Sequence, residues 1–335
     1  MLINNKNKIF RLCAWKRRNP QIVKERYIMN NTTLLPKNSG RLSIFLPWAI
    51  VVLLFGALIF VSVVYKPFTP LQSFLQEYEL LSTMRVNFLK TIEAGKSAVL
   101  ATTDESSIAF AEQARQAAAK VESGRKELEA LVGQANSSKD KQTMSDFNSC
   151  WSQFQTLNNT ILELATQNTN IKAQKLSSTQ CARDVKEIEA NLNNIIQQRI
   201  KNNRNDNAVR IAYEALTASL NILALHKPHI EEARDEEMDK IEKDINSYDK
   251  VARKALAALR TIPDLVDNDN LKAADEAYDH FMKHTAEVLK LSRMNTNIKS
   301  TELSWGKQSL ISAQCEGLLT TLQDSVKSRQ WGGTK

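Results

Sequence analysis

The sequence predicts an all-α protein: an N-terminal transmembrane helix, then two tandem up-down four-helix bundles standing side by side. Three observations predict it. Gly is scarce, only Pro228 and Pro263 occur after Pro70, and Ala, Leu, Lys, Glu, Gln and Asn dominate the rest. That composition suits helices and leaves little for hairpin turns. Residues 42–65 carry no charge. And "NTNIKAQKLS" at 168–177 returns as "NTNIKSTELS" at 295–304, identical at seven of ten positions and offset by 127.

The first 41 residues hold ten Lys or Arg and a single acid, Glu25. They account for +9 of charge, so the overall +8 leaves −1 for everything that follows. A body of that balance does not call for nucleic acid. The expected start is Met1, with Met29 as an alternative because the codons of Lys24-Glu25 can read as a ribosome-binding sequence.

Behind the basic tail, residues 42–65 reach about 36 Å as a helix, enough to cross a ~30 Å hydrocarbon core. Trp48 and Tyr65 near its ends suit the interface, and the basic excess in front, against Lys66 behind, orients the N-terminus to the cytoplasm. A cleaved signal peptide would have a shorter apolar region and a small-residue cleavage site, which "YKPFTP" does not offer. No second apolar stretch follows in this sequence. The expectation is a single pass through the cytoplasmic membrane, with residues 66–335 extracytoplasmic or periplasmic and the lipid bilayer as a partner through 42–65. Cys150, Cys181 and Cys315 would then face an oxidising space.

Within the body, Phe147, Phe154 and Ile161 fall at heptad position a, and Cys150, Leu157 and Leu164 at d, an apolar stripe that Trp151 widens. Shifted by 127 it returns as Ala274, Phe281 and Val288, with Ala277, His284 and Leu291. Breaks divide repeat one into four helices of roughly 28–31 residues. These run from about Leu71 to Ala101, from an N-cap at Asp104 to Ala135, to Asn168, and on to Lys201. Repeat two begins after "NNRNDN", and its first helix is expected to end at "HKPH", with Pro228 opening the next. The predicted domains are a first bundle at 66–201 and a second at 202–335. Four up-down helices return the chain to its starting level, so the second bundle should stand beside the first unless the fourth and fifth helices fuse into an end-to-end rod. "NNRNDN" argues against that fusion.

Candidate site residues follow from the repeats. Asn168 and Asn295 take heptad position a, where Asn fixes register or ends a helix. One reading makes each decapeptide a turn at the membrane-distal tip; the other makes Asn168, Asn170, Asn295 and Asn297 a polar ligand pocket. Arg85 and Arg210 lie at matching distances from their helix ends and could take a carboxylate by bidentate pairing, or simply be solvated. Among the cysteines, buried small residues are one reading, and a Cys150–Cys181 or Cys181–Cys315 disulfide the other. His280 and His284 stand i, i+4, yet the four histidines lie at different heights, so no metal and no cofactor is expected. The sequence contains no GxGxxG, P-loop, HExxH, CxxC or GxSxG, and a non-enzymatic role is expected.

The basic tail with its uncharged span, the long helices, the "NTNIK…LS" junctions and the "STQC" and "SAQC" stretches together resemble the four-helix-bundle extracytoplasmic sensor domains of methyl-accepting chemotaxis receptors. The resemblance covers 42 to about 330. It implies a chemoreceptor-like part in signal transduction. Arg85 and Arg210 would be ligand contacts, the ligand a small organic acid or amino acid, and the partner a homodimer mate or another receptor. The family's second span, linker module and signalling coiled coil have no counterpart here. A structural envelope scaffold or spacer is the alternative reading.

Overall fold

A computed structural model describes residues 51, 53–56, 59, 68–134, 137–202 and 207–332. Val51, Leu53, Leu54, Phe55, Gly56 and Ile59 are helical and exposed. The rest of the 42–65 stretch, and the tail with Met29, lie outside the described residues.

The described part of the body, within the unit Val64–Lys335, is all-α, with no strand among the described residues. Its helices are α1 (Phe68–Leu100), α2 (Asp104–Gln134), α3 (Ser138–Gln167), α4 (Thr169–Leu176), α5 (Ala182–Lys201), α6 (Asn207–Glu231), α7 (Asp235–Arg260), α8 (Asp269–Met294), α9 (Thr296–Trp305) and α10 (Lys307–Gly332). A π-helical turn at Ser177–Cys181 joins α4 to α5.

Side-chain caps start several of these helices. Ser137 accepts from the Asp140 amide at 3.2 Å, and Asn268 from the Leu271 amide at 3.1 Å. Such a cap satisfies one of the amides a helix start leaves bare, worth about 1 kcal/mol. Asp104 is not the cap of α2; Thr103 is, accepting from the Ser106 amide at 3.2 Å. Asp235, Glu236 and Glu237 crowd the first turn of α7, where the helix dipole favours carboxylates. Helix α6 does not end at "HKPH" but continues through Pro228 to Glu231. It is also long and apolar enough to cross a membrane, the one such helix among the described residues. Here it is a core element, with Ile211, Ala215, Ile222, His226 and His229 buried.

The decisive feature is an exchange. Helices α4 and α5 do not close the bundle begun by α1–α3. Val185, Ile188, Leu192, Ile195 and Ile196 of α5 share one core with Ile211 and Ile222 of α6, Leu256 of α7 and Phe281 and Val288 of α8. In return Cys315, Leu319, Leu322 and Val326 of α10 enter the core of Leu81, Met84 and Phe88 of α1, Leu128 of α2, and Phe147, Trp151 and Phe154 of α3. Each bundle therefore takes three helices from one repeat and the fourth from the other. The expected domains, 66–201 and 202–335, are corrected accordingly. The first bundle is α1–α3 with α9–α10, and the second is α4–α5 with α6–α8.

The exchange also replaces the side-by-side arrangement with an end-to-end stack. Three up-down helices, not four, precede each crossing, so the chain arrives at the far end of its own bundle and continues into the other. Among the described residues the bundles meet where α4 lies against α9, with the α1–α2 and α6–α7 turns alongside. Four consecutive helices closing one bundle would return the chain to its starting level, but the fourth helix of each repeat packs in the other bundle.

Packing in the first bundle is tight. Phe88 meets Phe154 and Trp151 edge-on, with ring centroids 4.9 and 5.9 Å apart, a geometry worth ~1 kcal/mol per pair beyond area burial. Gly124 lets α2 approach α1 closely: a Cβ there would lie 2.6 Å from Met84 Cγ.

Candidate functional site: the waist between the bundles

Both repeated decapeptides lie at the waist, beside each other. Asn168 (φ 52°) and Asn295 (φ 54°) are left-handed, the only non-glycine residues so placed among the described ones. Asn tolerates that region better than residues without a short polar side chain. One such residue redirects the chain without a loop, so the first helix of each pair (α3 or α8) ends and the next (α4 or α9) begins at once. The expected distal turn is therefore a mid-molecule joint.

Starting a helix leaves bare amides, and here each new helix is capped by the other. The Thr169 amide donates to Thr296 Oγ1 and the Thr296 amide to Thr169 Oγ1, both at 3.2 Å. The Asn170 amide donates to Asn297 Oδ1 at 3.1 Å, and the Asn297 amide to Asn170 Oδ1 at 3.2 Å. Residues 127 apart exchange equivalent bonds, the pattern of a self-complementary two-fold contact. The four asparagines then reach outward. Asn297 Nδ2 donates to Asn168 Oδ1 at 3.0 Å, and Asn170 Nδ2 to Asn295 Oδ1 at 2.8 Å. Asn168 Nδ2 donates to Asp104 of α2 at 3.0 Å, and this bond leads the causes that lower the Asp104 pKa. Asn170 Nδ2 also donates to the Ile230 carbonyl, and Asn295 Nδ2 to that of Glu232, both at 2.9 Å.

Two neighbouring networks brace the joint. On the first-bundle side the Ser107 hydroxyl reaches the carbonyls of Ala98 and Ala165, tying α1, α2 and α3 together. On the other, buried His229 bonds Ser292 through Nδ1 at 2.8 Å and Glu242 through Nε2 at 3.0 Å. Burial leads the causes that lower the His229 pKa, and Arg293, 2.7 Å from Glu242, leads those that hold that carboxyl low. Such an arrangement works as a joint: two backbone crossings fixed by mutual caps in a buried setting.

The structure thus brings together Asn168, Asn170, Asn295 and Asn297 but not the arginines. Arg85, half-buried on α1, donates to Glu316 and Gln323 of α10, both at 2.6 Å at closest. Arg210 starts α6 at the far end of the second bundle, exposed, bonded to Asn207 and Glu214 of its own helix. Stacking destroys the matching heights expected of them. The cysteine pairing differs from both alternatives: Cys150 of α3 is bonded to Cys315 of α10, with Cα atoms 5.7 Å apart, and Cys181 is free and buried. The exchange places Cys315 in the first bundle and Cys181 in the second. No group of three or more His, Cys, Asp or Glu among the described residues could hold a metal.

Thr169, Thr296 and the His229–Glu242–Arg293 network are not among the residues expected from the sequence, and Asp104, expected only as an N-cap, instead meets Asn168 at the waist. The signal for the threonines was there: identity concentrated in five consecutive polar and apolar residues is what two copies touching across a two-fold require.

No family model matches the chain, and no curated protein matches it. Among solved structures it is similar to a crystal structure titled as the TorS sensor domain–TorT complex in the presence of TMAO. The TM-score is 0.42 and the identity 13%, over 76% of this chain and 99% of that one. A likeness of that degree carries no inference about ligand or partner.

Proposed function

We propose that the protein is a membrane-anchored, extracytoplasmic helical sensor-type domain, chemoreceptor-like, in which the waist passes a change in the second bundle to the first. The observation that supports this most is the reciprocal capping at the waist. Asn295 grips the α6–α7 turn through the Glu232 carbonyl, and the chain from Asn295 leads directly into α9 and α10. Helix α10 holds α1 through Glu316–Arg85. A ligand or partner that reset the end of α6 would therefore shift α9–α10 against α1, the helix that follows the uncharged 42–65 stretch in sequence. The Cys150–Cys315 disulfide suits an oxidising compartment, in keeping with an extracytoplasmic body.

Two measurements on the full chain test the reading. An alkaline phosphatase reporter fused after Lys335 is expected to be active; a cytoplasmic reporter active at that position would overturn the topology. In nanodiscs, a panel of amino acids and organic acids is expected to include a compound that raises the unfolding temperature. It should also change the distance between spin labels on α1 and α10, and Asn297→Ala should abolish that change while binding persists. Stabilisation by none of them, together with tight capture of an envelope protein, would favour the scaffold instead.

A further inference from the structure

The end of α6 is held near the waist through three of its carbonyls. Those of Ile230 and Glu232 accept from Asn170 and Asn295, and that of His229 accepts from the Ser292 hydroxyl at 2.9 Å. The asparagine amides carry no titratable proton. The His229 contact belongs to a cluster that does. His229 and Ser292 are fully buried, and the ring faces Ser292 Oγ through Nδ1 at 2.8 Å and Glu242 Oε1 through Nε2 at 3.0 Å.

These three contacts, ring to Ser292, ring to Glu242 and Ser292 to the His229 carbonyl, need one hydrogen each. The Ser292 hydroxyl supplies one and a neutral imidazole one more. Glu242 supplies none, because Arg293, 2.7 Å away, leads the causes that hold its carboxyl ionised. With a neutral ring the cluster is one hydrogen short; with an imidazolium it is complete. Burial lowers the His229 pKa from its ordinary 6.5, so the ring is neutral near neutral pH and the third hydrogen arrives in acid. The matching place in the first bundle does not respond to pH. Ala165 stands there, 127 residues before Ser292, and the Ser107 hydroxyl lies 3.1 and 2.9 Å from the Ala98 and Ala165 carbonyls, with no titratable group in either contact.

We propose that the second bundle senses protons beside the waist: His229 takes up one proton as the pH falls below neutral, and this fastens the end of α6 to Ser292 at the end of α8. The proton is the ligand and the His229–Ser292–Glu242 cluster its site. The charged groups facing the ring are Glu242 of α7 and Arg293 of α8, which also holds Asp235 and Asp239 of α7. His226, three residues back on α6, stays neutral down to about pH 4. On the other helices packed against α6, Lys172 and Lys175 of α4 act on Asp104, and Asp184 of α5 pairs with His284 and Arg183. This deepens the sensor reading and rests on it for what the waist passes on, but not for its test.

The test uses the full chain in nanodiscs, labelled with ¹⁵N-histidine and carrying spin labels at Glu236→Cys on α7 and Glu302→Cys on α9, followed from about pH 7.5 to about 4.5. His229 is expected to pass from one protonated ring nitrogen to two, and the distance between the labels to change along the same one-proton curve. His226→Gln should keep both transitions, which separates His229 from its neighbour. His229→Gln should remove the distance change, and Ser292→Ala should leave the ring titrating while the distance stays fixed. The Cys150–Cys315 bond and the helical circular dichroism report that each variant is folded across the range. A ring that stays neutral or stays protonated throughout, a distance that follows another curve, or a distance change that survives either His229→Gln or Ser292→Ala would overturn the proposal. A compound that moves α1 against α10 at constant pH sustains the sensor reading whatever His229 does, and the proton transition stands where no compound binds.

Discussion

Asn168 and Asn295 each do two things that no other side chain combines as well: they accept a left-handed backbone and bond sideways through a buried amide. Separating the two roles gives a prediction. Asn295→Ala loses the bonds and strains the backbone, and should lower stability by about 2–4 kcal/mol; Asn295→Gly keeps the backbone free and should recover about 1 kcal/mol of that loss. Denaturant midpoints of the two variants measure the difference, and equal midpoints would remove the backbone role.

His226 offers a second prediction at this scale. Burial, with nearby His229, lowers its pKa from 6.5 to about 4. The unfolded chain therefore binds a proton below pH 6.5 that the folded chain refuses until about pH 4. Its contribution to stability is complete above pH 6.5 and declines as pH falls through that window, on the order of 3 kcal/mol in all. His229, lowered by burial, and Glu242, held low by Arg293, also titrate in this bundle, so the comparison that isolates His226 is wild type against His226→Gln. The variant should show a flatter dependence of midpoint on pH between 7 and 4.5; identical slopes would contradict the assignment.

The helices themselves were largely legible in the sequence, because each needs only its own pattern. Phe147, Phe154 and Ile161 are all fully buried, as the heptad reading requires, and α3 and α8 end within a residue of the expected asparagines. The weaker readings failed where two signals compete. "HKPH" looked like a helix start because Pro suits a first turn, yet α6 absorbs Pro228 and continues for another three residues. The π-helical turn leaves no local signature that heptad counting detects. Close approach of α2 to α1 also depends on a single position. Gly124→Ala is expected to force Met84 aside and cost about 1–3 kcal/mol, whereas Gly133→Ala, with open space around it, should be neutral or slightly stabilising.

For the molecule as a whole, sequence gave the repeat, but not the partnership between repeats. Hydrophobic periodicity states that a helix has a buried face; it does not state which helices that face meets. α5 and α10 place apolar residues at matching repeat positions, Ile188 with Cys315, Leu192 with Leu319 and Ile195 with Leu322, and the left-handed asparagines send the chain onward into the other repeat rather than back. The matching heights expected of Arg85 and Arg210 do not hold for the same reason, since matching distances from helix ends mean matching heights only in a side-by-side pair. A physical consequence follows for assembly. If the chain is cut between Asn202 and Asn207, neither piece holds a complete bundle. The two pieces co-expressed should form a one-to-one complex, and each expressed alone should fail to give a cooperative unfolding transition. A cooperative transition in the isolated piece ending at Asn202 would show that it completes its own bundle.

The exchange of fourth helices carries the rest of the account, and the cysteines register it directly. Peptide mapping of the oxidised full chain, alkylated before digestion, should recover Cys150 covalently joined to Cys315, with Cys181 carrying the alkyl group. A Cys150–Cys181 bond would instead place α3 and α5 in one bundle and contradict the exchange.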